Sequence, residues 1–100
     1  MARVYISGPM TGYPALNRRS FEAAAADLAA FGHEPVDPGD ADVPEQTWAA
    51  YLRADLRMLL DCEAVAVLPG WEASRGAALE VHVAHQLGMT VLPISEWSVA

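Results

Sequence analysis

Residues 71–80 contain the side chains whose types and spacing most clearly suggest chemistry. Ser74 is a strong N-cap candidate, because its hydroxyl can accept from the free amides of a first helical turn. Those amides and the helix dipole attract anions, and Arg75 adds a full positive charge. Glu80 would lean back over Gly76, which has no side chain, so the pattern suggests an open carboxylate beside an anion pocket. Taken alone, the stretch nevertheless favours an ordinary exposed glutamate after a capped turn.

A second carboxylate, Asp55, falls on or beside the apolar face of another predicted helix. Pro44 is expected at the first position of this helix, which ends near Leu60. A carboxylate at such a face is costly unless it is paired, hydrogen-bonded or open to a cleft. The alternative is an aspartate at the border of the face, paired with an arginine. The predicted apolar face consists of Trp48, Leu52, Leu56, Leu59 and Leu60.

Short apolar strands alternate with helices in the order β-α-β-α-β-α-β. Strands are expected at residues 4–7, 33–37, 64–68 and 90–94, and Pro35 places the second at a sheet edge. The alternation predicts an α/β fold, a small doubly wound (Rossmann-like) parallel sheet of about four strands in order 2-1-3-4, with helices on both faces.

The first and third helices have clear start and stop signals. Asn17 or Ser20 can cap the first helix and Gly32 ends it, whereas the third begins at Ser74 and stops at Gly88. The apolar stripe expected on the first helix consists of Phe21, Ala24, Ala25, Leu28 and Phe31.

Two loops are expected to meet at one edge of this sheet. Ligands of doubly wound sheets bind beyond the carboxyl ends of the strands where the strand order reverses, here between strands one and three. Residues 7–14 and 69–74 follow those strands. The first loop lacks both the P-loop ending and the dinucleotide glycine fingerprint, so its spacing alone favours a plain turn. Its alternative is a binding loop, in which Gly8 and Gly12 let the backbone approach a ligand closely.

The composition narrows the class of protein. One hundred residues suggest a single domain over residues 1–100, and a net charge of −7 argues against nucleic acid or an anionic membrane as the partner. Cys62 is the only cysteine and no signal peptide precedes the first strand, which fits a cytoplasmic protein. No His, Cys and carboxylate cluster has metal-site spacing, so we expect no metal and no cofactor.

Four segments in this order resemble the nucleoside 2-deoxyribosyltransferase superfamily: residues 5–10, 53–56, 61–65 and 74–80. The resemblance covers nearly the whole chain and is nearest to a branch of small proteins common in phage and bacterial genomes. The superfamily includes base-exchanging transferases and 2′-deoxynucleoside 5′-monophosphate N-glycosidases, and its fold is a doubly wound sheet. The resemblance therefore implies an enzyme of nucleotide metabolism that breaks an N-glycosidic bond.

By this resemblance, Glu80 is the nucleophile, Asp55 the second carboxylate, and Tyr5 the residue that holds Glu80. A carboxylate suits this chemistry because positive charge develops at C1′ as the bond to the base breaks. Trp48 is a further candidate to stack on the base, although packing is its favoured role. The residues expected to bind substrate are Ser7, Gly8, Pro9, Met10, Arg19, Trp71, Ser74, Arg75 and Gly76.

Position 74 separates hydrolase from transferase in this resemblance. The transferases typically have an acidic residue there that contacts the 5′-hydroxyl, whereas the hydrolases have a serine that accommodates a 5′-phosphate. Ser74 with Arg75 would attract phosphate, so we expect an N-glycosidase that hydrolyses a (deoxy)nucleoside 5′-monophosphate. The alternatives are a base-exchanging transferase and a non-catalytic nucleotide-binding module.

A homodimer is also implied, since a polar residue from the C-terminal part of a neighbouring subunit usually completes the site in this superfamily. The present sequence ends before that position. Ser95 or Ser98 is expected to substitute for it, or the site is more open.

Overall fold

The computed structural model describes residues 2–40 and 43–97, and in these residues four parallel strands form one sheet. The strands are β1 (Arg3–Ser7), β2 (Glu34–Val36), β3 (Ala64–Val67) and β4 (Thr90–Pro93), in the order β2-β1-β3-β4. Each neighbouring pair is parallel. The predicted α/β class and strand order are confirmed, including the edge position of β2.

Helix α1 (Arg18–Ala30) covers one face of the sheet. Because successive strand residues point to opposite faces, Val4 and Ile6 of β1 lie on the same side. They form one buried cluster with three residues of the predicted α1 stripe: Phe21, Ala24 and Leu28.

Helices α2 (Trp48–Leu60) and α3 (Arg75–Gln86) cover the opposite face. Their residues Leu59, Val81 and Ala84 join Tyr5 and Val65 in a second buried cluster. The faces of β1 are thus divided between two cores, and its odd-numbered residues face α2 and α3. None of the helices in the described segments is long and apolar enough to cross a membrane.

The predicted limits of α3 are confirmed. The Ser74 hydroxyl accepts a hydrogen bond from the Ala77 amide at 3.3 Å, as expected of an N-cap. Gly88, just after the helix, has φ of 71°, a left-handed conformation that glycine adopts without steric cost.

The predicted start of α2 is wrong. The helix begins at Trp48, where the Thr47 hydroxyl caps it by accepting from the Ala50 amide at 3.1 Å. Trp48 and Leu60, expected on the apolar face, are 43% and 58% exposed. Both lie at the ends of the helix, beyond the part that packs on the sheet.

Asn17 occupies the N-cap position of α1, as predicted, but its side chain makes no capping hydrogen bond. It has a left-handed φ of 62°, and its side-chain amide instead donates to the Pro9 carbonyl at 2.9 Å. Ser20 lies inside the helix. The Asn17 side chain therefore ties the start of α1 to the loop after β1.

Candidate active site

A cleft of about 890 Å³ lies at the carboxyl ends of the strands, where the strand order predicts a ligand site. Its walls come from the loops after β1, β2 and β3 and from the N-terminal parts of the three helices. The loops after β1 and β3 lie close together. A Cβ atom at Gly70, in the second loop, would lie only 2.8 Å from the hydroxyl of Tyr13 in the first. The two loops that the topology brings together therefore do line one cleft.

Glu80 is held at the inner wall of this cleft. Its side chain is 5% exposed, and each carboxylate oxygen accepts one hydrogen bond. The Tyr5 hydroxyl donates to Oε2 at 2.8 Å, and the Ser7 hydroxyl donates to Oε1 at 2.7 Å. The expectation of an ordinary exposed glutamate is wrong, because the face of α3 that carries Glu80 is the face that packs on β1.

Burial dominates the electrostatics of Glu80 and raises its pKa from 4.5 to about 7. The hydrogen bonds from Ser7 and Tyr5 lower the pKa, and the charge of Asp55 raises it. Burial and the Glu80 charge also raise the pKa of the Tyr5 phenol well above 10.0, so Tyr5 keeps its proton and acts as a donor. Near neutral pH, the Glu80 carboxyl is thus poised between its neutral and ionised forms.

Asp55 lines the same cleft from α2 and is half-buried. Burial raises its pKa from 3.8 to about 6. Within the described segments no arginine forms an ion pair with it, so the alternative of a border aspartate paired with an arginine is wrong. Two carboxyl groups with raised and different pKa values therefore share one cleft, an arrangement common where an acid and a nucleophile work together.

The cleft also contains an arrangement suited to an anion. Ser74, Arg75 and Gly76, at the start of α3, all line it. The Arg75 guanidinium stacks 3.8 Å from the ring centroid of Trp48, and such a stack uses the face of the guanidinium and leaves its N–H edges free. A helix N-terminus beside a positioned arginine is a favourable site for phosphate or carboxylate.

The first loop contributes three of the expected binding residues, Gly8, Pro9 and Met10, to the cleft. Gly8 has little room, because a methyl group there would lie 2.7 Å from the Leu68 Cβ. Gly8 therefore allows the loop to pack tightly against the residue after β3.

Three predicted binding residues occupy other places. Among the described residues that line the cleft, Arg18 appears instead of Arg19, and Trp48 instead of Trp71. Trp71 lines a smaller depression of about 260 Å³. Ser7 is fully buried and donates to Glu80, so its hydroxyl cannot reach a ligand in the cleft.

Sequence reasoning missed the contact between Ser7 and Glu80, although a signal was available. Ser7 lies two residues after Tyr5, so both point to the same face of the strand.

The packing favoured for Trp48 is also wrong, because the first turn of α2 places its ring at the cleft. Ser95 is exposed and lies at the smaller depression, whereas Ser98 falls outside the described residues.

Comparison with known proteins gives a family and a fold. The model of DUF4406, described as a domain of unknown function, matches residues 2–93. No curated protein sequence matches the chain. Among solved structures, a 2-deoxyribosyltransferase from Bacillus psychrosaccharolyticus matches with a TM-score of 0.69 and 18% identity over 91% of this chain and 71% of its own. A 2-deoxyribosyltransferase from Leishmania mexicana matches with a TM-score of 0.72 and 21% identity over 93% of this chain.

The present chain spans 63% of the Leishmania protein, so the likeness concerns the shared sheet and helices rather than the whole of that protein. The part of this chain that matches is a parallel sheet in the order 2-1-3-4 with helices on both faces. The chain therefore belongs to the DUF4406 family and has the fold of the nucleoside 2-deoxyribosyltransferases.

Proposed function

We propose that this protein hydrolyses the N-glycosidic bond of a nucleoside 5′-monophosphate, with Glu80 as the nucleophile. The observation that carries the proposal is the buried Glu80 carboxylate, which both Tyr5 and Ser7 hold at the wall of a cleft that Asp55 also lines. A buried carboxylate between two donors, facing a second carboxyl group, suits the stabilisation of positive charge at C1′.

The reaction balances with the two carboxyl groups and one water molecule. A Glu80 oxygen bonds to C1′, the bond from C1′ to the base nitrogen breaks, and its electron pair leaves with the base. Neutral Asp55 gives its proton to the departing base. Water then attacks C1′ and gives a proton to Asp55, which releases the sugar phosphate and restores Glu80. Because burial raises its pKa to about 6, roughly a tenth of Asp55 carries its proton at pH 7, and this minor form, with Glu80 ionised, is the one that reacts.

A monophosphate is the proposed substrate class because the start of α3 suits a dianion. Ser74 leaves a neutral hydroxyl where a carboxylate would repel phosphate. Arg75 is held at the cleft by its stack on Trp48, and Arg18 lines the cleft from α1. The exposed part of the Trp48 ring is a candidate surface for the base.

The test is base release from a panel of deoxyribonucleotides and ribonucleotides, compared between the wild type, Glu80→Gln and Glu96→Gln. Glu96 is an exposed carboxylate after β4 that does not line the cleft, so its variant is the matched control. We expect release by the wild type and the control, and none by Glu80→Gln. Absence of release from every nucleotide, or full activity in Glu80→Gln, would contradict the proposal.

A base-exchanging transferase is the second candidate, favoured by the similarity to two solved structures that are 2-deoxyribosyltransferases. Incubation of a nucleoside with a second free base distinguishes it, since transfer makes a new nucleoside. A non-catalytic module is the third. It would bind nucleotide without turnover, and Glu80→Gln would leave that binding unchanged.

A homodimer, a cytoplasmic location and a single domain over residues 1–100 also belong to this proposal. They are supported by the family resemblance, by the one cysteine and by the length of the chain. Size-exclusion chromatography with light scattering tests the dimer directly.

A further inference from the structure

We propose that Ser7 is a positioning residue for Glu80: together with Tyr5 it fixes both carboxylate oxygens, favours the ionised form and aims the group at the cleft. This inference rests on the proposed function for its effect on rate. The contact itself is a property of the fold and is measurable without activity.

Ser7 is placed so that its hydroxyl contacts Glu80 and not the cleft. Ser7 is 0% exposed, its backbone lies in the pairing of β1 with β3, and its Oγ donates to Glu80 Oε1 at 2.7 Å. A side chain without exposed surface cannot contact a substrate in the cleft. Any influence of Ser7 on a bound ligand must therefore pass through Glu80.

Tyr5 and Ser7 together fix the orientation of the Glu80 carboxylate, which a single donor cannot do. Tyr5 and Ser7 lie two residues apart on β1, so both hydroxyls point to α3, and each takes a different oxygen of the same carboxylate. With one donor the carboxylate can still turn about its last bond, whereas with two its plane is fixed. Each oxygen keeps a free lone pair, and Glu80 itself lines the cleft.

The second effect is on charge. Hydrogen bonds donated to a carboxylate favour its ionised form, and those from Ser7 and Tyr5 lower the pKa of Glu80 against the opposing effect of burial. The titratable groups that face Glu80 are Tyr5 from β1 and Asp55 from α2, and the Asp55 charge raises the same pKa. On α3 itself, Arg75 lies at the first position and its guanidinium is stacked on Trp48.

The first test measures Glu80 directly. Carbon-13 NMR titration of the glutamate side-chain carboxyl groups, assigned with Glu80→Gln, is carried out on the wild type, Ser7→Ala and Ser20→Ala. Ser20 is an exposed serine of α1 and does not line the cleft, which makes it the matched control. A hydrogen bond to a charged group supports a shift of about one unit or more. We expect Ser7→Ala to raise the pKa of Glu80 from about 7 by that amount, and Ser20→Ala to leave it unchanged.

The second test is the pH profile of base release. A rise of about one unit would lower the ionised fraction of Glu80, and with it kcat, roughly fivefold relative to the wild type at pH 7, with KM little changed. The kcat of both proteins falls at high pH as Asp55 loses its proton, but their ratio should approach one near pH 9. A defect of folding alone would not disappear at high pH. Ser7→Cys, which keeps a weaker donor of similar size, should lie between Ser7→Ala and the wild type.

The outcomes separate this inference from the proposed function. If the wild type releases no base, the proposed function fails and the NMR titration still decides the role of Ser7. An unchanged Glu80 pKa in both Ser7 variants overturns the inference. So does a loss of kcat that is equal at pH 7 and pH 9. If Ser7→Ala does not fold, Ser7→Cys carries both measurements.

Discussion

Replacement of Glu80 by glutamine should stabilise the fold at alkaline pH even though it removes the proposed nucleophile. Glu80 is 5% exposed, and burial raises its pKa from 4.5 to about 7. The neutral carboxyl is therefore the form that the fold accommodates best. Glutamine has nearly the same shape, keeps an oxygen for one hydroxyl, and offers an N–H that the other hydroxyl can accept.

The sign and size of the effect follow from linkage between protonation and folding. Because the folded pKa is the higher one, the contribution of Glu80 to stability is fully present below pH 4.5 and is lost as the pH rises through about 7. At about 1.36 kcal/mol per unit, the loss is roughly 3 kcal/mol in all, of which about 2–3 kcal/mol falls between pH 5 and pH 8. This is a large share of the stability of a small domain.

The assay is urea unfolding of wild type, Glu80→Gln and Glu96→Gln at pH 5 and pH 8, followed by tryptophan fluorescence. When the pH is raised from 5 to 8, we expect the free energy of unfolding of Glu80→Gln to increase by about 2–3 kcal/mol relative to that of the wild type. Glu96→Gln, an exposed substitution, should track the wild type. A Glu80→Gln protein that loses as much stability as the wild type over this range would refute the reasoning, because the buried charge would then carry no cost.

Three further predictions concern the cleft and its first loop. Ser74→Asp keeps an N-cap for α3 but adds a carboxylate at the proposed phosphate site, so the KM for nucleotides should rise about tenfold or more and that for nucleosides should not. Trp48→Leu removes the stack on Arg75, which contributes about 0.5–1 kcal/mol, and should therefore raise the KM for nucleotides roughly two- to fivefold. Trp48→Phe keeps an aromatic ring and should retain most of the affinity. Steady-state kinetics of base release measure both KM values. Gly8→Ala places a methyl group 2.7 Å from the Leu68 Cβ and should cost about 1–3 kcal/mol in urea unfolding. Combination with Leu68→Gly, which removes that Cβ, should then cost less than the sum of the two single changes, and full additivity would contradict the clash.

Much of the fold follows from local signals in the sequence. Alternating apolar strands and helices gave the strand order, because right-handed crossovers leave few arrangements for a small parallel sheet. Ser74 and Gly88 marked the limits of α3 correctly, since capping depends on the residue at the helix end and its own backbone. For α2 the proline at position 44 was the wrong start signal, and the helix begins after the Thr47 cap, which sequence reasoning missed.

The site was only partly accessible to such reasoning. Glu80, Asp55 and Tyr5 were identified by residue type and by resemblance, and the structure brings Tyr5 into contact with Glu80 and places Asp55 in the same cleft. Their roles in catalysis stay predictions. Arg19 and Trp71 do not line the cleft. For Arg19 the reason is that one step along a helix changes the direction of a side chain, and the sequence did not say whether Arg18 or Arg19 faces the cleft.

The sequence by itself determined the order of the elements, the sheet topology, and the presence of a carboxylate beside a capped, cationic helix start. Only the tertiary structure decided that Glu80 is buried and that Ser7 joins Tyr5, which the resemblance had implied, in holding it. The physical reason is that caps and periodicity act over a few residues, whereas this contact joins positions more than seventy residues apart, a separation of 73 for Ser7 and 75 for Tyr5. It exists because α3 packs on the face of β1 that carries both hydroxyls, and no local signal encodes that packing.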